Sequence, residues 1–503
     1  MSIATPAYET LSRTWTRMHN LSHLQAIAGW DQAANMPPKG NEARAAAMTE
    51  MAALLHRMRT DPQLPEQLER AEQEPLSDLQ RANLREMRRQ WYASNALPES
   101  LIQRRQMASS RCEHAWRTQR PANDWKGFLG NFREVLAIAR EEAALLSAQT
   151  GLRPYDALMD RFEPGMTCAQ VDRVFGEVRQ WLPGLIRRVT DKQAREQQAN
   201  PVLEPEGPFP VAAQRALCER VMRLLGFDFE AGRLDVSTHP FCGGVPEDVR
   251  MTTRFREEEF LGSLMGTVHE TGHGRYEQNL PREWLGQPVA DARSMALHES
   301  QSLSFEMQLG SHPGFVKRLA PLVAQALGDQ PALAPHNLYR LMTRVKPGFI
   351  RVDADEVTYP AHIILRYEIE RPLVEGMIEP EDVPALWDAK MMELLGIDTR
   401  GNFTNGPLQD VHWPEALFGY FPCYSLGAMY SAQWFAAMRR EMPDLDARIG
   451  QGDLSAVFAW LNDRIWSQGS RWSTDDLSHR ASAERLNPMH FRRHLESRYL
   501  AAT

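Results

Sequence analysis

The stretch VHETGHGRYE, residues 268–277, sets His269 and His273 four positions apart with Glu270 beside the first. On an α-helix positions i and i+4 share a face, so both imidazoles can address one metal ion while Glu270 reaches its open side. Two imidazoles, a third protein ligand and a water complete the four-coordinate shell of a catalytic zinc, and Glu270 is then placed to take a proton from that water. The residues leading in, FLGSLMGTVHETGHGRYE, repeat apolar Phe260, Leu264 and Val268 at helical spacing. This pattern predicts an amphipathic helix set into a core.

The third ligand must come from downstream, where Glu277, Glu283, Asp291, Glu299 and Glu306 are the candidates. A third histidine of the HExxHxxGxxH kind is excluded, because Tyr276 and Asn279 stand where Gly and His are required. Glu277 lies on the metal helix itself, nearly in line with its histidines. Glu299 lies on a second expected helix, residues 290–310, with His298 and Ser300 around it. Spacing alone leaves the choice open.

The surrounding chain has the composition of an ordinary globular protein. Its 503 residues are 43% hydrophobic and 24% charged, enough for a large core, and nothing is repetitive or low in complexity. A net charge of −8 gives no general attraction to nucleic acid or anionic membrane, so neither is an expected partner. Five cysteines, Cys112, Cys168, Cys218, Cys242 and Cys423, show no CxxC spacing, which suits buried thiols in a reducing compartment. The opening MSIATPAYETLSRTWTRMHN lacks a basic region followed by an apolar run, and no apolar stretch approaches a membrane span. A cytoplasmic location is expected.

Residues 5–150 predict five or so helices, with breaks at 36–41, 61–65, 96–100 and 120–124. The charged run RANLREMRRQ (81–90) is expected to be solvated helix surface. Thr167 with Gln170 forms a capping box opening the helix AQVDRVFGEVRQWL, and residues 193–210 are expected to be loop. After a helix at 211–226, RLDVSTHPFCGG and DVRMTTRF alternate Val and Thr with polar residues between glycines, predicting a hairpin or three-stranded sheet. Just before the metal helix, its edge would let a peptide bind by strand addition. Residues 311–503 are again mostly helical, with breaks expected at Gly348, Pro360, Pro372, Pro380, Gly401–Gly406 and Pro443. Two segments there, TRVKPGFIRVDADEVTYPAH and NGPLQDVHWPEALFGYFPCYSLG, mix charged and aromatic residues near glycines, as a pocket wall does.

Six segments together resemble the thermostable metallocarboxypeptidase, or carboxypeptidase Taq, family. They are HPF at His239–Phe241, DxRxT at Asp248, Arg250 and Thr252, HExxH at His269–His273, HES at His298–Ser300, IRxxAD at Ile350, Arg351, Ala354 and Asp355, and GxxQDxHW at Gly406, Gln409, Asp410, His412 and Trp413. HExxH alone is shared with many families; the other five in this order are specific. The likeness runs the full length, including WDQAANMPP around Trp30.

The resemblance implies a mainly α, large helical metallopeptidase fold with a small β-sheet beside a deep active-site groove. Residues 1–503 would form one unit, an N-terminal helical part to about 210 covering the groove and a catalytic part from about 211. It implies a homodimer that releases C-terminal amino acids one at a time, with broad preference, using one zinc per subunit that cobalt may replace. It also implies His269, His273 and Glu299 as ligands and Glu270 as the catalytic carboxylate. A donor for the oxyanion is sought among His239, His412, Tyr420 and Tyr424. Recognition of a terminal carboxylate calls for an arginine, whose planar fork matches both oxygens. Arg351 is the first choice, held in place by Asp353 and Asp355, with Arg250 and Arg254 in reserve. A zinc endopeptidase of related build and a helical scaffold with a vestigial site are the alternatives.

Overall fold

The computed structural model describes residues 5–238 and 240–501. Its N-terminal helices are α1 (Pro6–Ala34), α2 (Asn41–Arg59), α3 (Leu64–Glu72), α4 (Asp78–Asn95), α5 (Glu99–Gln119), α6 (Trp125–Thr150), α7 (Pro154–Met159), α8 (Cys168–Ala199) and α9 (Val211–Leu224). A small sheet follows, β1 (Gly232–Val236), β2 (Phe241–Val245) and β3 (Asp248–Thr253). The remainder is α10 (Leu261–Gln278), α11 (Met295–Leu303), α12 (Pro313–Leu327), α13 (Pro335–Met342), α14 (Tyr359–Val374), α15 (Val383–Leu395), α16 (Pro422–Glu441), α17 (Leu445–Gln451), α18 (Ser455–Arg464), α19 (Thr474–Ser482) and α20 (Pro488–Leu500). None of these helices is long and apolar enough to cross a membrane.

The mainly helical class and the three-stranded sheet agree with expectation. The strand order is β1-β3-β2, with β1 parallel and β2 antiparallel to β3, so one edge of β2 carries no strand partner among the described residues. Several boundaries differ for local reasons. A further break separates α3 from α4 at EQEPLS, where Ser77 and Gln80 close a capping box. The Thr167–Gln170 box is present, but α8 continues through Pro183 to Ala199, because KQAREQQA holds good helix formers and no breaker before Asn200 and Pro201. The expected loop therefore shrinks to residues 200–210. Pro372 also lies inside α14 and does not end it.

RANLREMRRQ is not simply solvated surface. Glu86 and Asn83 on α4 are buried. Glu86 pairs with Arg293 at 2.8 Å, and Asn83 donates to Tyr8 Oη at 2.9 Å and Gln287 Oε1 at 3.0 Å. Charge alone could not reveal this, because Arg293 and Gln287 lie more than two hundred residues downstream and Tyr8 lies 75 residues upstream. The apolar core also divides near residue 95. One small cluster joins Leu11, Trp15, Leu55, Leu68 and Met87, whereas a second, large one runs from Ala96 to Tyr499 and includes α5–α8. α1 crosses the sheet: Trp30 stacks on Arg250 at 4.3 Å and Arg233 at 5.1 Å, and His23 lies 3.5 Å from Asp248.

Candidate active site

Two helices build the site. α10 presents His269, Glu270 and His273, and its Gly272 lies against the backbone of α11, where an added Cβ would stand 2.4 Å from Gln301 O. α11 begins at Ser294, which accepts from Leu297 N at 3.2 Å, while buried Glu163 accepts from Ala296 N at 3.0 Å. On its other side Gly427 of α16 leaves room for Glu299, whose Cβ would be 2.7 Å from an alanine methyl there. Helices this close bring Glu299 onto the α10 histidines.

Ligand atoms of His269, His273 and Glu299 all lie within 4.8 Å of one another. The two Nε2 atoms stand 3.8 Å and 3.5 Å from Glu299 Oε2. Their Nδ1 atoms point elsewhere, that of His269 to Glu306 Oε2 at 2.7 Å and that of His273 to His298 Nδ1 at 2.6 Å. Glu277 meets His298 Nε2 at 2.8 Å. Of the five downstream acids, Glu299 thus joins the histidines, while Glu306 backs His269 directly and Glu277 stands behind His298. The expected helix over 290–310 begins at Met295 and runs to Gly310, but its second part, Ser304–Gly310, which carries Glu306, is π-helical, a geometry frequent at functional sites.

The electrostatics are those of a cation site. Burial works against a charged His269, yet Glu299 and Glu306 outweigh it and raise this imidazole to about 10. His273, buried and flanked by His298 and His269, is lowered to about 4. Burial likewise opposes ionised Glu299, but the two imidazoles hold it at about 2. The two histidines move in opposite directions because His269 faces two carboxylates and His273 another imidazole. Burial raises Glu270 to about 7 against the pull of His269. Two nitrogen donors and one carboxylate converging on one point fit a zinc-class ion.

A second cluster joins the two polar segments downstream. Arg351 donates from Nε to Asp410 Oδ1 at 2.8 Å and from Nη1 to Tyr359 Oη at 3.1 Å, and its guanidinium lies 4.8 Å from the Tyr424 ring centre. Asp353 and Asp355 do not hold it. Asp353 is exposed, and Asp355 instead accepts from Lys346 N and Thr358. Asp410 is shared with fully buried Arg366 at 2.7 Å, and burial notwithstanding, the two arginines keep its carboxyl far below the usual range. His412 Nε2 is 3.1 Å from Tyr424 Oη, and Tyr420 and Tyr424 stand 5.2 Å apart. Tyr359 and Tyr424 both feel the charges of Arg351 and Glu299, so this cluster adjoins the metal-site residues.

Arg250 is not in that cluster. Its guanidinium is committed to Asp248 at 2.6 Å and to Trp30, and Arg254 is exposed. His239 lies outside the described residues. Tyr359 was not singled out from the sequence, although VTYPAH sits in one of the two pocket-like segments. A cavity of about 400 Å³ between α1, β2 and the end of α10 is lined by His19, His23, Gly244, Val245, Glu277 and Asp291. A larger hollow of about 580 Å³, between α8, α13 and α20, contains none of the candidate residues.

Residues 10–499 match the family described as Carboxypeptidase Taq (M32) metallopeptidase. The chain is 38% identical to Thermostable carboxypeptidase 1 of Thermus thermophilus over 98% of both chains, and 31% identical to Carboxypeptidase 1 of Bacillus subtilis over 96% of both. Among solved structures, Trypanosoma cruzi Metallocarboxypeptidase 1 superposes with a TM-score of 0.97 at 48% identity, covering 99% of this chain and 100% of that one. The Pyrococcus furiosus carboxypeptidase gives a TM-score of 0.93 at 28% identity, covering 99% and 100%. With a site of this composition inside a fold shared from end to end, the chain belongs to the carboxypeptidase Taq (M32) family and is a metallocarboxypeptidase.

Proposed function

We propose that residues 1–503 act as one zinc-dependent unit, with His269, His273 and Glu299 as ligands and Glu270 as general base, removing residues one at a time with broad specificity. The observation that carries this is the convergence of both Nε2 atoms on Glu299 while both Nδ1 atoms are engaged elsewhere. A zinc ion bound there would polarise the scissile carbonyl and acidify the attacking water; cobalt meets the same donor set. Glu270 takes the water's proton and returns it to the leaving amine nitrogen. Buried beside His269 on the same helix, its carboxylate is placed for that exchange.

Restriction to chain ends requires a charge partner for the terminal carboxylate. Arg351 supplies it: Nε and Nη1 are spoken for, while Nη2 has no protein acceptor among the described residues. Asp410 and the Tyr424 face hold the guanidinium still. His412, Tyr420, Tyr424 and His239 are the groups for the oxyanion and the groove wall, and Arg250, on the central strand β3, ties Trp30 to the sheet whose β2 edge the peptide would lie along. A cytoplasmic homodimer completes the reading.

The test compares a peptide with a free C-terminus against its amidated twin, in wild type and Arg351→Ala. Wild type should strongly prefer the free acid, and the variant should lose about 2–4 kcal/mol in kcat/KM on the acid alone. Equal loss on both peptides would make Arg351 structural, and indifference to amidation in wild type would favour the endopeptidase reading.

A further inference from the structure

His273 is gripped at both ring nitrogens by neighbouring residues of α11. Glu299 faces Nε2 at 3.5 Å, and His298 meets Nδ1 at 2.6 Å through its own Nδ1. On the far side of His298, Nε2 lies 2.8 Å from Glu277 Oε1, and the ring sits 5.3 Å from that of buried Tyr276. His269 differs, since its Nδ1 contacts the Glu306 carboxylate directly.

An imidazole between two partners has a direction. The Glu277 carboxylate only accepts, so neutral His298 carries its proton on Nε2 and presents a bare Nδ1. Two bare nitrogens 2.6 Å apart repel, so His273 must donate from Nδ1, and its lone pair then lies on Nε2, towards Glu299. In the opposite tautomer His298 would set a bare Nε2 against a carboxylate and close His273 Nε2 with a proton.

We propose that Glu277 and His298 are positioning residues that fix the tautomer of His273, so that Nε2 is free for an ion before any ion arrives. This rests on His273 being a ligand. The arrangement also explains why Glu277, one turn beyond His273 on α10, does not join the ligand set: its carboxylate is turned towards α11 and acts through His298. Partners of this kind commonly account for 10- to 100-fold in metal affinity.

The experiment is imidazole nitrogen NMR on the full chain stripped of metal, with Zn²⁺ affinity measured by chelator competition, in wild type, His298→Asn, His298→Phe and Glu277→Gln. Asparagine sets an amide oxygen near the place of Nδ1 and keeps an acceptor; phenylalanine keeps the ring without one. His273 should be the Nδ1–H tautomer in metal-free wild type. Zn²⁺ affinity should fall about 10- to 100-fold in His298→Phe and recover most of that in His298→Asn. Glu277→Gln, whose amide both donates and accepts, should mix the two tautomers and bind with intermediate affinity. An Nε2–H His273 in metal-free wild type, or equal Zn²⁺ affinity in His298→Phe and His298→Asn, would overturn the proposal. Should His298→Phe not fold, the wild-type tautomer and the Glu277→Gln comparison still decide. Failure of the ligand assignment looks different: His273→Ala would then bind Zn²⁺ as wild type does, whatever the tautomer.

Discussion

Replacing Gly272 with alanine tests how closely α10 and α11 must approach to make a metal site. The added methyl would stand 2.4 Å from Gln301 O, 2.6 Å from Ser302 Cα and 2.8 Å from Gln301 C, all backbone atoms that no rotamer change can move. An ordinary contact needs about 3.5 Å, so the helices must separate by about 1 Å. Zinc sites tolerate about 0.2 Å in ligand distance, and Glu299 rides on the helix being displaced. Overpacking of this kind costs about 1–3 kcal/mol, and if the strain is relieved by parting the ligands it appears as a loss of about 5- to 150-fold in Zn²⁺ affinity. Thermal unfolding of metal-free protein reads the first figure and chelator competition the second. Gly266 on the same helix is the control, because a methyl there meets nothing within 4 Å. Gly266→Ala should leave Zn²⁺ binding alone and stabilise the helix by up to about 1 kcal/mol. Wild-type Zn²⁺ affinity and stability in Gly272→Ala, or an equal loss in Gly266→Ala, would refute the reasoning. Gly427→Ala, 2.7 Å from Glu299 Cβ, should weaken metal binding in the same way from the opposite side of α11.

Glu270→Gln should retain metal and fold while kcat falls by several orders of magnitude, since an amide cannot accept the water's proton; Glu299→Ala should lose affinity for the metal itself. Identical metal titrations for the two would contradict that division of roles. Away from the site, Glu356 is held at about 2: burial opposes its charge, but Arg498 at 2.8 Å and His494 at 2.6 Å outweigh burial. Because its folded value lies below the ordinary 4.5, the stability it contributes is present above about 4.5 and is lost as pH falls towards about 2. Glu356→Gln should therefore cost about 3 kcal/mol at pH 7, with the gap to wild type closing below pH 4, measured by denaturant unfolding; a gap independent of pH would mean that packing, not charge, is lost.

Local pattern carried a great deal. Period 3.6 around His269 and His273, the Thr167–Gln170 box and the Val/Thr alternation before the metal helix all concern residues a few positions apart, where chain geometry leaves little freedom. Ser77–Gln80 was equally legible and would have located the break before α4. What sequence spacing could not decide was every pairing between distant segments. Spacing sets Glu277 aside and puts Glu299 on the next helix, but it is the close approach at Gly272 and Gly427 that brings α11 onto α10. Arg351 found Asp410, 59 positions away, rather than the neighbouring Asp353 and Asp355, because the Asp355 carboxylate turns inward to cap backbone nitrogens and Asp353 points to solvent. Glu86 lay in a run of charge that suggested surface, and only the packing of α4 against the segment carrying Arg293 buried it. The sequence alone determined which residues share a helix face; the tertiary structure decided which faces meet, because that depends on how nearly two backbones can approach once all the other side chains are in place.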